Sequence, residues 1–159
     1  DQLDVVIHPQ SIVHSMVQYK DHSVVSQMGT PDMRGPIAYG LSWPERITSG
    51  AAPLDFHALP AMTFEAIDAP GHTERFPGLP LAWAALRGPA GSCAVLNASN
   101  EIGVAAFLER RIRFDHIHRT NLETLAAVTC SNPQSLDDLL DLDARSRIAA
   151  ESVVSRLAR

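Results

Sequence analysis

Apolar and polar positions divide the chain into three textures. Up to residue 28 the apolar side chains come in short β-branched runs. Leu3 to Ile7 is one, and it stops at His8-Pro9. Residues 11–19, SIVHSMVQY, alternate: Ile12, His14, Met16 and Gln18 share one face, and Val13, Ser15, Val17 and Tyr19 the other. Lys20-Asp21-His22 is a polar turn and residues 23–28, SVVSQM, run back, which predicts an antiparallel hairpin. Such a hairpin is marginal alone, so it needs more sheet or a partner chain. After Pro36 the spacing becomes helical, with Ile37, Leu41 and Tyr39 expected to be buried, until Pro44 ends the helix.

Residues 49–80 carry Pro53, Pro60, Pro70, Pro77 and Pro80 together with Gly50, Gly71 and Gly78. That density leaves no room for a long helix or strand, and a stretch of this kind is unusual inside a compact domain. It reads as a connector crossing a surface, pinned by Leu54, Phe56, Leu59, Met62 and Phe64.

Residues 81–159 are helical. Leu81 to Arg87 is stopped by Gly88-Pro89. From Cys93 to Arg111, Val95, Ala98, Ile102, Ala105 and Leu108 or Glu109 recur every three or four positions. Asn121 is placed to cap the run LETLAAVT, and Ser135 to open the short LDDLL. Asp143 is expected to cap a last helix with Ile148, Val153 or Ser152, and Leu157 on its apolar stripe. The helices predict a small bundle. The fold class is α+β: sheet elements over 1–48, an irregular connector over 49–80 and a helical bundle over 81–159.

Composition narrows the class. With 159 residues, 45% apolar and 19% charged, the chain reads as a soluble globular protein. No window offers 18 uninterrupted apolar residues and no basic region precedes an apolar run, which argues against a membrane helix and a signal peptide. The net charge is −5 and Lys20 is the only lysine, a poor match to counterion-releasing nucleic-acid contacts. Arg110, Arg111 and Arg113 read as the solvated end of a helix. Cys93 and Cys130 read as two unpaired thiols of an intracellular protein. The Asn97-Ala98-Ser99 sequon is taken as accidental. The chain opens on Asp1 with a strand already under way, which reads as a piece of something longer.

Candidate chemistry is sparse. His116 and His118 lie two apart, a helical spacing that separates their faces, so joint metal binding is not expected and both read as surface residues. Asn97, Asn100 and Glu101 read as ties between helices. No Gly-x-Ser-x-Gly elbow, Gly-x-Gly-x-x-Gly turn or P-loop occurs. Asp137-Asp138 and Asp141-Asp143 fit helix starts. The chain alone therefore lacks a complete active site.

The β region differs. His8 and His14 flank the run PQSIV, and an imidazole can donate and accept hydrogen bonds in a sugar-phosphate pocket, although a structural role is also open. Residues 30–39, TPDMRGPIAY, hold Met33 and Arg34 between Pro31 and Gly35-Pro36. Met33 suits the wall of a pocket for a flat ring.

The segments HPQSIVHSMVQYKDHSVVSQMGTPDMRGPIAYGLSWPER, LDF, MTFEA, FPGLPLAWAAL, VLNASNEIGVAAFLERRIRF and SLDDLLDLDARSRIAAESVVSRL, in that order, resemble the C-terminal part of the 1-deoxy-D-xylulose 5-phosphate reductoisomerase family. The HPQS, PDMR-x-PI and LNA-x-NE blocks carry the resemblance jointly. It implies an enzyme of the non-mevalonate isoprenoid pathway. That enzyme rearranges a deoxy-sugar phosphate and reduces the product with NADPH, with Mg, Mn or Co as Lewis acid.

The resemblance also implies that the Rossmann-type NADPH domain, the metal ligands and the phosphate-holding groups lie upstream. No metal ligand and no bound cofactor is thus expected on this piece, and the piece alone is expected to be inactive. Three residues carry over: His14, matching a histidine implicated in activity, and Pro31 and Met33, matching the pocket wall beside the nicotinamide and the lid. Met33 is the one cofactor contact, and Arg34 is expected to anchor the loop to the fold. The sheet of residues 12–28 matches a homodimer contact. The implied location is the bacterial cytoplasm first, or a plastid. A non-catalytic dimerisation or binding module is the alternative reading, and a small hydrolase a third.

Overall fold

A computed structural model of the chain describes residues 3–130 and 132–158. Two compact units divide it, Asp1–Ala69 and Pro70–Arg159. The architecture is α+β.

The first unit contains two small antiparallel sheets. Strand β1 (Val6–Ile7) pairs with β4 (Glu65–Ala66) in the register Val6↔Ala66 and Ile7↔Glu65. The predicted hairpin forms from β2 (Val13–Gln18) and β3 (Val24–Met28). Its turn closes with Tyr19 N–H donating to Ser23 O, while Asp21 Oδ1 accepts from the Ser23 amide and hydroxyl. The β1–β4 pair is held from outside the ladder. His8 Nδ1 lies 2.9 Å from Thr63 O, the His8 ring stacks on Phe64, and the Gln10 amide bonds the backbone and hydroxyl of Thr63.

Helix α1 (Arg34–Ser42) begins two residues before the expected Pro36, because Asp32 Oδ1 receives the Arg34 amide and Pro36 sits harmlessly in the first turn. It ends at Trp43, ahead of a cis Trp43–Pro44 bond. The expectation that Ile37, Leu41 and Tyr39 are buried does not hold. Ile37 is 55% and Leu41 82% exposed, and Tyr39 is half-buried. The connector pins are also only partly right: Leu54 and Leu59 are half-buried, whereas Phe56, Met62 and Phe64 are exposed. Among the described residues of this unit, Ile12 is the one buried hydrophobic side chain.

The second unit holds α2 (His72–Arg75), α3 (Gly78–Arg87), α4 (Ser92–Leu108), α5 (Phe114–Ala127) and α6 (Leu136–Leu157). Pro80 falls in the first turn of α3, where its missing N–H costs nothing, so the helix starts three residues before Leu81. Helices α4, α5 and α6 pack on one another. One core cluster joins Val95, Val128 and Leu142; a second joins Ala106, Ile112 and Val154. The face of α4 that packs is Val95, Ala98, Ser99, Gly103 and Ala106; Ala105 and Leu108, expected on that face, are exposed.

Three further boundaries differ from expectation. Asn121 does not cap a helix; it lies buried in the middle of α5. Ser135 does cap α6, in a reciprocal capping box with Asp138. The helix it opens is not short, however: it runs 22 residues, so Asp143 is internal and pairs with Arg147 one turn on. Its buried stripe is Leu142, Ser146, Ala150, Val153 and Val154, and Ile148 is 72% exposed. The arginine run ends α4 as expected. Arg110 adopts φ 60°, Arg110 N–H donates to Phe107 O and Arg111 N–H to Ala106 O, the Schellman arrangement without a glycine. Arg111 then pairs with Glu109 and Glu151.

Candidate functional site: a concavity of the first unit

A concavity of about 1060 Å³ opens in the first unit, and His14, Pro31 and Met33 all line it. Its walls come from the hairpin, the loop before α1 and the segment after it.

Strict alternation would keep His14 in step with Ile12 and Met16. It fails here: Val13 pairs with Met28 but Ser15 pairs with Gln27, so His14 is the extra residue of a β-bulge. A bulge bends its strand and re-aims a side chain. The ring of His14 lies between two oxygens, with Nε2 3.0 Å from Ser11 O and Nδ1 3.1 Å from Gln27 Oε1. Ser11 adopts φ 52°, an unusual conformation for serine, and donates its N–H to His8 O. The HPQS block thereby turns a carbonyl toward the imidazole.

The loop before α1 is braced from within. Asp32 receives the Arg34 amide at 2.9 Å and the Arg34 guanidinium at 2.9 and 3.0 Å. Hydrogen bonding from Arg34 holds the Asp32 carboxyl below the usual carboxylate range. The expectation that Arg34 ties the loop to the fold meets a different arrangement: Arg34 bonds Asp32 inside the loop, and Thr30 makes a tie outward by donating to Ala52 O at 3.0 Å. Met33 follows this brace with φ −64° and ψ −15°, and is 69% exposed. A loop braced by Asp32 and Arg34 thus presents an exposed thioether.

Sequence reasoning missed four lining residues that carry polar or aromatic function. Gln27 and Ser11 contact His14, and the Arg46 guanidinium lies 3.8 Å from the centroid of the Tyr39 ring, which meets Trp43 edge-on. The Tyr39–Trp43 spacing of one helical turn was the available signal. Nothing in local pattern marks Gln27, since its role depends on the partner strand.

The helical unit offers ties rather than a site. Glu101 accepts from Asn97 and from Arg147, and Asn121 joins Ser99 to Asn100. His116 and His118, read as surface residues, are half-buried, each with its Nδ1 enclosed and lacking a hydrogen-bond partner. Both thiols are free; Cys93 is exposed and Cys130 half-buried. Among the described residues no group of three or more His, Cys, Asp or Glu side chains is placed to hold a metal ion. No helix among them is long and apolar enough to cross a membrane.

Comparison with known proteins bears on this geometry. The family model of the DXP reductoisomerase C-terminal domain matches residues 28–149. A 1-deoxy-D-xylulose 5-phosphate reductoisomerase of Shewanella sp. (strain MR-4) is 49% identical over 158 residues, which is 99% of this chain and 39% of the relative. That of Colwellia psychrerythraea is 44% identical, over 98% of this chain and 37% of its own length. The solved structure of the Zymomonas mobilis reductoisomerase in complex with NADPH is 44% identical, with a TM-score of 0.75, covering 96% of this chain and 39% of that one. A DOX-P reductoisomerase in complex with NADPH, fosmidomycin and magnesium is 38% identical, with a TM-score of 0.78 over 96% of this chain and 38% of that one. The chain thus spans about two fifths of the length of the relatives it matches.

Proposed function

For a chain that belongs to the DXP reductoisomerase family and matches its C-terminal domain, we propose a part in the NADPH-dependent conversion of 1-deoxy-D-xylulose 5-phosphate to 2-C-methyl-D-erythritol 4-phosphate. The observation that carries this is the convergence of His14, Pro31 and Met33 on one concavity. We assign residues 1–48 to the end of a catalytic domain, 49–80 to a connector and 81–159 to the bundle.

This chain's residues fit one wall of a dinucleotide site. Pro31 and Met33 offer an apolar surface on a braced loop and would exclude water from one side of a flat ring. NADPH, when bound, supplies the hydride. His14 stands beside that wall with ring nitrogens able to donate or accept, suited to orienting a polar substrate group. Among the described residues no group of His, Cys, Asp and Glu side chains fits a metal centre. The catalytic domain's other groups are assigned to sequence beyond this chain, so the 159 residues alone are expected not to turn over.

The experiment follows NADPH absorbance in the full-length protein with the sugar phosphate and Mn²⁺. His14→Gln is expected to lower kcat/KM more than about tenfold, or roughly 1.4 kcal/mol of transition-state stabilisation. Unchanged kinetics would return His14 to a structural role. Oxidation of NADPH by the isolated 159-residue chain would overturn the division of labour.

Assembly as a homodimer through the hairpin belongs to the same proposal. Met16, Val17, Val24 and Val25 are exposed on a sheet of only two strands, the kind of apolar edge that proteins cover. Val17→Lys is expected to shift the sedimentation of the full-length protein from dimer toward monomer.

A further inference from the structure

Ser11 O can only accept a hydrogen bond, so the His14 Nε2 that it faces at 3.0 Å carries a proton. That fixes the neutral imidazole as the Nε2–H form and leaves Nδ1 as an acceptor. Protonation makes Nδ1 a donor instead. Whatever faces Nδ1 must therefore donate to one charge state and accept from the other.

A side-chain amide does both. Its oxygen and nitrogen have nearly the same shape and exchange places by a half-turn about the last torsion. Gln27 presents this amide to Nδ1: Oε1 lies at 3.1 Å, the orientation that accepts from a protonated Nδ1, with its nitrogen donating to Met28 O, and a half-turn offers the nitrogen to a neutral Nδ1 instead. The bulge is what brings the two together, because Gln27 pairs across the ladder with Ser15 and not with His14. Gly29 closes the frame: a methyl group there would touch both the Gln27 nitrogen and His14 Cε1 at 3.9 Å.

We propose that Gln27 is a positioning residue for His14, holding the ring against Ser11 O, and so with Nε2 protonated, in either charge state. Its importance to turnover rests on the reading of His14 as a pocket residue. The charged groups that share the concavity are Asp32, already engaged by Arg34, and Arg46, stacked on Tyr39.

The test is nitrogen NMR of the full-length protein with histidine labelled at both ring nitrogens, the His14 signals being those lost in His14→Gln. The unaltered protein is expected to show neutral His14 as the Nε2–H tautomer. Gln27→Met, which can neither donate strongly nor accept from Nδ1, is expected to release the ring from Ser11 O and give the averaged signals of mixed tautomers. Gln27→Glu, which only accepts, is expected to leave both nitrogens protonated at a pH where the parent has one. Identical tautomer signals in both variants and the parent would overturn the proposal. Altered signals with unaltered turnover would support the pairing and count instead against His14 as a functional residue.

Discussion

The hydroxyl of Ser99 lies 3.0 Å from Asn121 Oδ1, inside the bundle between α4 and α5. Asn121 also donates to Asn100, so one amide bridges two residues of the neighbouring helix. A residue type that favours helix caps is thereby stabilised in mid-helix, because its side chain bonds across the interface and does not compete with its own backbone.

Removing one partner should cost more than removing both. Ser99→Ala leaves the buried Asn121 carbonyl without this donor, and we expect a loss of about 1–3 kcal/mol. Adding Asn121→Leu to that variant should recover part of it, since two apolar groups of similar shape need no hydrogen bond. Urea unfolding of the single and double variants measures the coupling; additive losses would contradict it.

Two glycines should respond to alanine with opposite signs. A Cβ at Gly88 would lie 3.0 Å from Ala84 O and 3.3 Å from Ser92 Oγ, and backbone cannot yield cheaply. Gly88→Ala is expected to destabilise by about 1–3 kcal/mol. At Gly103, where α4 meets α5, the nearest atoms belong to Ile117 at 3.5 Å, an ordinary contact. Gly103→Ala is expected to be neutral or to stabilise by up to about 1 kcal/mol, through reduced freedom of the unfolded chain. Thermal unfolding checks both signs.

The start of α6 should weaken in acid. Asp138 accepts from the amides of Gln134 and Ser135, and these bonds hold its carboxyl below the ordinary value of 3.8. A depressed folded value means the contribution is complete above the ordinary value and fades as pH falls through the folded one. The stability difference between the parent and Asp138→Asn should therefore shrink below about pH 4. Ser135→Ala, which removes the cap itself, is expected to cost about 1 kcal/mol near neutral pH. Urea midpoints across the pH series test both statements.

Met33 offers a test of the wall itself. Met33→Ala in the full-length protein should raise the KM for NADPH several-fold while leaving the fold intact, because an exposed side chain contributes little to packing. Steady-state kinetics with NADPH varied gives the answer. An unchanged KM would remove Met33 from the cofactor wall.

The hairpin, the helix ends at Gly88 and Ser135, and the family resemblance were all legible because each rests on neighbours in sequence. Alternation over residues 11–19, a proline, or a capping serine exerts its effect within a few residues. The starts of α1 and α3 differ from expectation for local reasons, the Asp32 side chain and a proline tolerated in the first turn, whereas α6 is tied to a partner far along the chain. Asp143 read as a cap until α6 proved continuous, with Asp143 paired to Arg147 and Arg147 to Glu101 of α4. Ile148 read as core because period alone does not say which side of a long helix meets a neighbour.

The candidate site divides along the same line. His14, Pro31 and Met33 could be named from their motifs. The bulge that re-aims His14, the Gln27 amide beside it and the Ser11 carbonyl could not, since a bulge is a mismatch between two strands and exists only once they pair. By itself the chain's order of residues determined the element types, the α+β class and the motifs that mark its family. The tertiary structure alone decided which faces are buried and which polar atoms meet, because those depend on distances between residues remote in sequence, and no local periodicity encodes them.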